Sequence, residues 1–176
     1  MRYLGIDPGL RVTGYACVEE RSAGVRTEGA GYWGAPGAGQ ARLIEAGVLR
    51  FRAGLTVADR LVELERDLCE LITRLTPSLV AVEKLYAHYN HPTTAIVMGH
   101  ARGVVLLCTR RAGVELAELG ATAVKKSLTG HGHASKSQMQ DAVMAQLALA
   151  SRPEPADVAD AIAIALCAAR RHAPVP

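Results

Sequence analysis

The chain has 176 residues, 49% of them hydrophobic, and a formal net charge of +3. That length suits one domain, residues 1–176, with a sizeable core. No apolar run approaches the roughly 20 residues of a membrane span, and the N-terminus enters a strand rather than the basic-then-apolar pattern of a signal peptide. Cys17, Cys69, Cys108 and Cys167 are widely spaced and lie in apolar segments. Their spacing excludes a Cys-x-x-Cys zinc site and predicts buried, reduced thiols, which places the protein in the cytoplasm.

Residues 2–7, 14–19 and about 44–52 are rich in Val, Leu, Ile, Tyr and Phe and bounded by glycine turns, the pattern of strands. Thr13-Gly14 marks the first reversal, so the opening strands form an antiparallel meander. Residues 21–42 carry much Gly and Ala, with Tyr32-Trp33 and Pro36 but no periodicity, and read as a long mobile hairpin loop. Val57, Leu61, Leu64, Leu68, Leu71, Ile72 and Leu75 follow helical spacing up to Pro77, and the acids and arginines between them form a solvated face. Residues 78–83 are a short apolar run ending in an acid, a buried central strand.

A helix over 92–110 opens on a proline. Gly99 and Gly103 lie one turn apart within it, each costing roughly 1 kcal/mol against Ala, so another element is expected to pack closely there. His100 reads as a hydrogen-bonded packing residue. A strand over 113–116 and helices over 121–129, 135–149 and 156–171 complete the chain. The order β-β-β-α-β-α-β-α-α-α predicts an α/β fold with a mixed five-stranded sheet and helices on both faces.

Four acids stand out. Asp7 ends the first strand just before Pro8-Gly9, and Glu83 ends the fourth in the same manner. If the two strands are neighbours, the carboxylates project side by side. Asp157 and Asp160 are three apart near a helix start, so they share a face. Converging, the four would repel strongly without cations. Two Mg²⁺ or Mn²⁺ ions, roughly 4 Å apart, would relieve the repulsion and support in-line phosphoryl chemistry. Hard oxygen ligands favour these ions over zinc. Removing the four acids from a net charge of +3 leaves a body of +7, suited to a polyanionic substrate. For Asp157 or Asp160 taken singly a helix cap or solvated surface is the readier explanation, and for Glu83 taken singly the two readings are even.

The strings Leu4-Gly5-Ile6-Asp7-Pro8-Gly9 and Arg11-Val12-Thr13-Gly14-Tyr15 closely resemble the RuvC-type Holliday-junction resolvases. So do Ala81-Val82-Glu83, Gly99-His100-Ala101-Arg102-Gly103-Val104, Lys125, Gly130, Lys136-Ser137-Gln138 and Asp157-Val158-Ala159-Asp160-Ala161, in order over nearly the whole chain. The resemblance implies an RNase-H-like fold, a homodimer built on the Gly99-Gly103 helix, divalent-metal catalysis and paired nicks across a four-way DNA junction. It further implies that branch-migration motor proteins are partners. Asp7, Glu83, Asp157 and Asp160 fall on the family's acidic catalytic positions, and Lys125 and Lys136 on lysines near its active site. Such lysines would neutralise the scissile phosphate or its transition state.

Lys126 and Lys84 are expected at most to touch phosphate, and Arg102 is a further cationic candidate for DNA. Tyr86 falls on the family's aromatic position after Glu83. Its ring is placed to stack on an unpaired base at the branch point, the alternative being that Tyr86 and Tyr89 cover the core. His131 and His133 read as a solvated turn. Two other functions are compatible with the residues: an actin-like phosphotransferase, for which 176 residues leave little room for a second lobe, and a junction-binding module that does not cut.

Overall fold

The structure is a computed structural model that describes residues 1–20, 41–85 and 92–172. Its strands are β1 (Arg2–Asp7), β2 (Val12–Glu20), β3 (Ala41–Arg50), β4 (Leu79–Glu83) and β5 (Glu115–Leu119). Its helices are α1 (Val57–Leu75), α2 (Pro92–Arg111), α3 (Ala121–Thr129), α4 (Lys136–Leu147) and α5 (Ala156–His172). One sheet runs in the order β3-β2-β1-β4-β5. β2 pairs antiparallel with both β1 and β3, as the meander requires, whereas β4 is parallel to β1 and to β5. The expected mixed five-stranded sheet is therefore present.

Alternation along the central strands divides the core. Tyr3, Leu79 and Ala81 face α3, α4 and α5. Leu4, Ile6, Val80 and Val82 face α1 and α2 on the other side. Helix α5 lies deepest, with residues 161–169 all buried. Six of those nine are alanine or cysteine, so the helix can approach the sheet at backbone distance. At Gly5, a Cβ would run into the backbone of Ala161 and Ala165. At Gly14 it would run into the carbonyl of Asp157. Only glycine admits so close a crossing, and these two positions fix where α5 sits.

Helix α1 is capped at both ends. The Thr56 hydroxyl accepts from the Asp59 amide, and Thr76, in the left-handed region at φ 45°, donates its N–H to the Ile72 carbonyl before Pro77. The described part of the 21–42 stretch, residues 41–42, opens β3; the rest lies outside the described residues. β5 occupies 115–119 rather than 113–116, because Gly113, at φ 69°, is spent on the turn that ends α2. Helix α4 stops at Leu147, where Ala148 turns left-handed at φ 50°.

Cys17, Cys108 and Cys167 are buried, but Cys69 is exposed on α1. His100 is exposed as well, since it lies on the open side of α2. Gly99 and Gly103 share that side. Among the described residues nothing lies within 4 Å of where their Cβ atoms would be, so no packing among those residues accounts for them. Among the described residues, no helix is long and apolar enough to cross a membrane.

Candidate active site

Asp7 and Glu83 stand side by side because of strand register. Gly5 pairs with Ala81 and Ile6 with Val82 across the parallel β1–β4 ladder. One further step along the ladder sets Asp7 level with Glu83. Both continue the rows, Tyr3-Gly5 and Leu79-Ala81, that face α5. The second pair of acids arrives through the glycines. Asp7 pairs with Gly14 across the β1–β2 ladder, and the space a Gly14 side chain would fill belongs to the Asp157 carbonyl. Asp157 and Asp160 lie in the first turns of α5, so seating that helix on Gly14 and Gly5 brings them over Asp7.

The electrostatics record this convergence. The Asp7 carboxyl is pushed up to about 7 from an ordinary 3.8, first by burial, then by repulsion from Asp160, Asp157 and Glu83. Lys136 opposes the shift. Glu83 is raised by burial and by Asp160, with Lys125 opposing. Asp160 is raised chiefly by burial and also by Asp157, with Lys136 and Lys125 opposing. Six predicted residues therefore act on one another: four carboxylates that repel and two lysines that relieve them. Among the described residues, however, no three acids close around a single ligand position.

Lys125 projects from the middle of α3, half-buried, while Lys136 is exposed as the first residue of α4. A capping box anchors Lys136. The Ser135 hydroxyl accepts from the Gln138 amide at 3.2 Å, and the Gln138 side chain accepts from the Ser135 amide at 2.8 Å. Gln138 thus has a structural task in holding the helix end that presents the lysine. Lys126 and Lys84 are exposed. The Lys84 amide donates to the Leu119 carbonyl at 2.8 Å, which steadies the chain as it leaves Glu83. Tyr86 and Tyr89 lie outside the described residues.

Arg102 does not reach outward as expected of a DNA contact. Its side chain is only 18% exposed and pairs with Glu118 of β5. Its Nε donates to the Glu83 backbone carbonyl at 3.2 Å. The guanidinium is a clasp binding α2, β4 and β5 together immediately behind a site carboxylate. His131 and His133 are exposed, and the Thr129 hydroxyl ties the turn together by accepting from the His131 amide, in keeping with a solvated turn. A groove of about 650 Å³ lies between β3 and the segment before α5, lined by Leu43, Ala46, Leu149 and Pro153 among others. It contains none of the four acids. The four acids, each half-buried, lie instead at the ends of β1 and β4 and in the first turns of α5.

Residues 3–168 match the family model described as crossover junction endodeoxyribonuclease RuvC. The chain is 47% identical over 164 residues to the crossover junction endodeoxyribonuclease RuvC of Rhodopirellula baltica, covering 93% of this chain and 83% of that protein. Its fold is similar to Thermus thermophilus RuvC, with a TM-score of 0.79 at 32% identity, covering 97% of this chain and 96% of that one. The same protein in complex with a Holliday junction substrate gives a TM-score of 0.80 at 32% identity, covering 96% and 93%. The mixed sheet with helices on both faces is thus of the RNase-H-like kind.

Proposed function

The chain belongs to the RuvC family of crossover junction endodeoxyribonucleases, and from that premise we propose that Asp7, Glu83, Asp157 and Asp160 form the metal-binding centre with which it cuts four-way DNA junctions. The observation that carries this reading is the seating of α5 on Gly14 and Gly5. It sets two helix carboxylates over two strand-end carboxylates and pushes Asp7 to about 7. The donor set fits hard divalent cations, since it is all carboxylate oxygen and its mutual repulsion is what a cation offsets.

Two Mg²⁺ or Mn²⁺ ions bound there would activate water for attack on the phosphodiester and stabilise the leaving 3′-oxygen, giving 5′-phosphate and 3′-hydroxyl ends. Asp7, repelled by all three of the other acids, is the group that gains most from a cation. Lys136, held by its capping box, and Lys125 face the same centre and neutralise charge on the scissile phosphate and its transition state. Lys84 and Lys126 contact neighbouring phosphates, and Tyr86 stacks at the branch point.

Two copies of the chain, joined through the open side of α2, set two such centres on strands of matching polarity. The reading is supported by Ile96 and Leu107, which are 61% and 47% exposed there, and by Gly99 and Gly103, whose missing Cβ atoms would meet nothing within 4 Å among the described residues. Branch-migration motor proteins are the remaining proposed partners, and the cytoplasm the proposed compartment.

The test compares the protein with Asp7→Asn on labelled four-way junctions and matched linear duplex, in Mg²⁺ and in Mn²⁺. Paired symmetric nicks on the junction, lost in Asp7→Asn, are expected. Tight junction binding without incision in either metal would leave a binding module instead.

A further inference from the structure

Helices α1 and α2 pack side by side over one face of the sheet, and their seam carries two thiols that the centre described above does not use. The helices run in the same direction. Leu64 and Ala101 share one apolar cluster, and Leu68, Leu71 and Ile72 share the next with Val105 and Cys108. A step of one turn along α1 thus matches a step of one turn along α2. On the outer side of the seam the Arg111 Nη1 donates to Glu65 Oε1 at 3.0 Å. Cys69 lies one turn on from Glu65, and Cys108 one turn back from Arg111. The ion pair and the helical register therefore bring both thiols to the same stretch of the seam.

The two meet there from opposite environments. Cys108 is buried and Cys69 is exposed. Burial, and after it contact with the Cys69 thiol, pushes Cys108 up to about 12. Cys17 and Cys167 are buried as well. Burial raises both, but no other cysteine acts on either. Of the four cysteines, Cys69 alone is open to a reagent in water, and Cys108 is the thiol beside it.

An exposed thiol backed by a buried one converts a disulfide reagent into an internal crosslink. In a first step the Cys69 thiolate attacks one sulfur of a small disulfide such as oxidised glutathione. The S–S bond breaks, one glutathione leaves as its thiolate, and Cys69 holds the other. In a second step the Cys108 sulfur attacks the Cys69 sulfur, the second glutathione leaves, and the Cys108 proton passes to it. Two protein thiols are oxidised and one small disulfide is reduced to two thiols, so the balance needs no further oxidant. Because Cys108 is already in contact with Cys69, the second step is intramolecular and outruns attack by free thiols.

We propose that Cys69 and Cys108 form a dithiol site that low-molecular-weight disulfides oxidise to a crosslink between α1 and α2. Its bond would close the loop that contains β4, the strand that ends in Glu83. The proposal does not depend on the reading that this protein cuts junctions.

The full chain, treated with excess oxidised glutathione, tests it. Free thiols are counted after denaturation, and tryptic peptides are mapped without reduction. Trypsin releases Cys69 in residues 67–74 and Cys108 in residues 103–110. Wild type should lose two of its four thiols, retain no glutathione and yield these two peptides joined, a link that dithiothreitol reverses. Cys69→Ser should keep its three remaining thiols, and Cys108→Ala should hold one glutathione on Cys69. Since Cys108 is buried and its replacement can disturb the core, wild type and the exposed-site variant Cys69→Ser decide the outcome on their own. An unreactive wild type, glutathione retained on its Cys69, or Cys69 joined to Cys17 or to Cys69 of a second copy would overturn the proposal. Loss of two thiols from Cys69→Ser would do the same.

Discussion

Replacing Asp7 with asparagine should stabilise the metal-free protein at alkaline pH. The wild-type carboxyl titrates near 7 in the folded chain against an ordinary 3.8, so the folded state keeps a proton that the unfolded chain has released. Stability therefore falls as pH rises from about 4 to about 7, and the cost is fully present above that range. At ~1.4 kcal/mol per pH unit the gap corresponds to about 4 kcal/mol. Asparagine keeps the size of the side chain and removes the charge. Urea unfolding followed by far-UV circular dichroism, at fixed protein concentration in EDTA, reads the difference. Asp7→Asn should be more stable than wild type by up to about 4 kcal/mol at pH 8, and by less than half of that at pH 5. Adding Mg²⁺ at pH 8 should narrow the gap by stabilising wild type alone. A variant no more stable than wild type at pH 8 in EDTA would refute the claim that Asp160, Asp157 and Glu83 crowd Asp7.

Gly14→Ala should push the start of α5 off β2, costing about 1–3 kcal/mol as overpacking does and weakening Mn²⁺ binding measured by calorimetry; unchanged metal affinity would show that Gly14 does not set the position of Asp157. Arg102→Gln should slow junction nicking by loosening Glu83 and lower stability by about 1–2 kcal/mol, yet keep the wild-type salt dependence of junction binding. A shallower slope would instead make Arg102 a phosphate contact. Leu107→Glu should convert a dimer to monomers in sedimentation experiments, while an unchanged sedimentation coefficient would move the dimer face elsewhere.

Most of the candidate site was legible because its placement follows from local rules. A strand that ends in an acid before a Pro-Gly turn exposes that acid, and two acids three apart at a helix start share a face. The Thr56 and Ser135 caps obey equally local rules, and Ser135-Lys136-Ser137-Gln138 is a readable capping box that explains the glutamine beside Lys136. What escaped depends on tertiary contact. Gly14 reads as a turn marker, but its lack of a side chain is what admits the Asp157 carbonyl. Arg102 reads as a surface cation, since nothing in α2 reveals that Glu118 and the Glu83 carbonyl wait behind it. Cys69 and His100 sit among apolar neighbours in sequence but on the open sides of their helices. β5 slipped by two residues because Val114 looks like strand, while Gly113 and Val114 complete the turn after α2.

The central claim is that Asp7, Glu83, Asp157 and Asp160 share divalent cations. Anomalous diffraction from crystals of the protein soaked in Mn²⁺ tests it most directly. The account predicts manganese peaks bounded by these four carboxylates, and their loss in Asp7→Asn crystals. Manganese bound elsewhere, with the four carboxylates still apart, would contradict it.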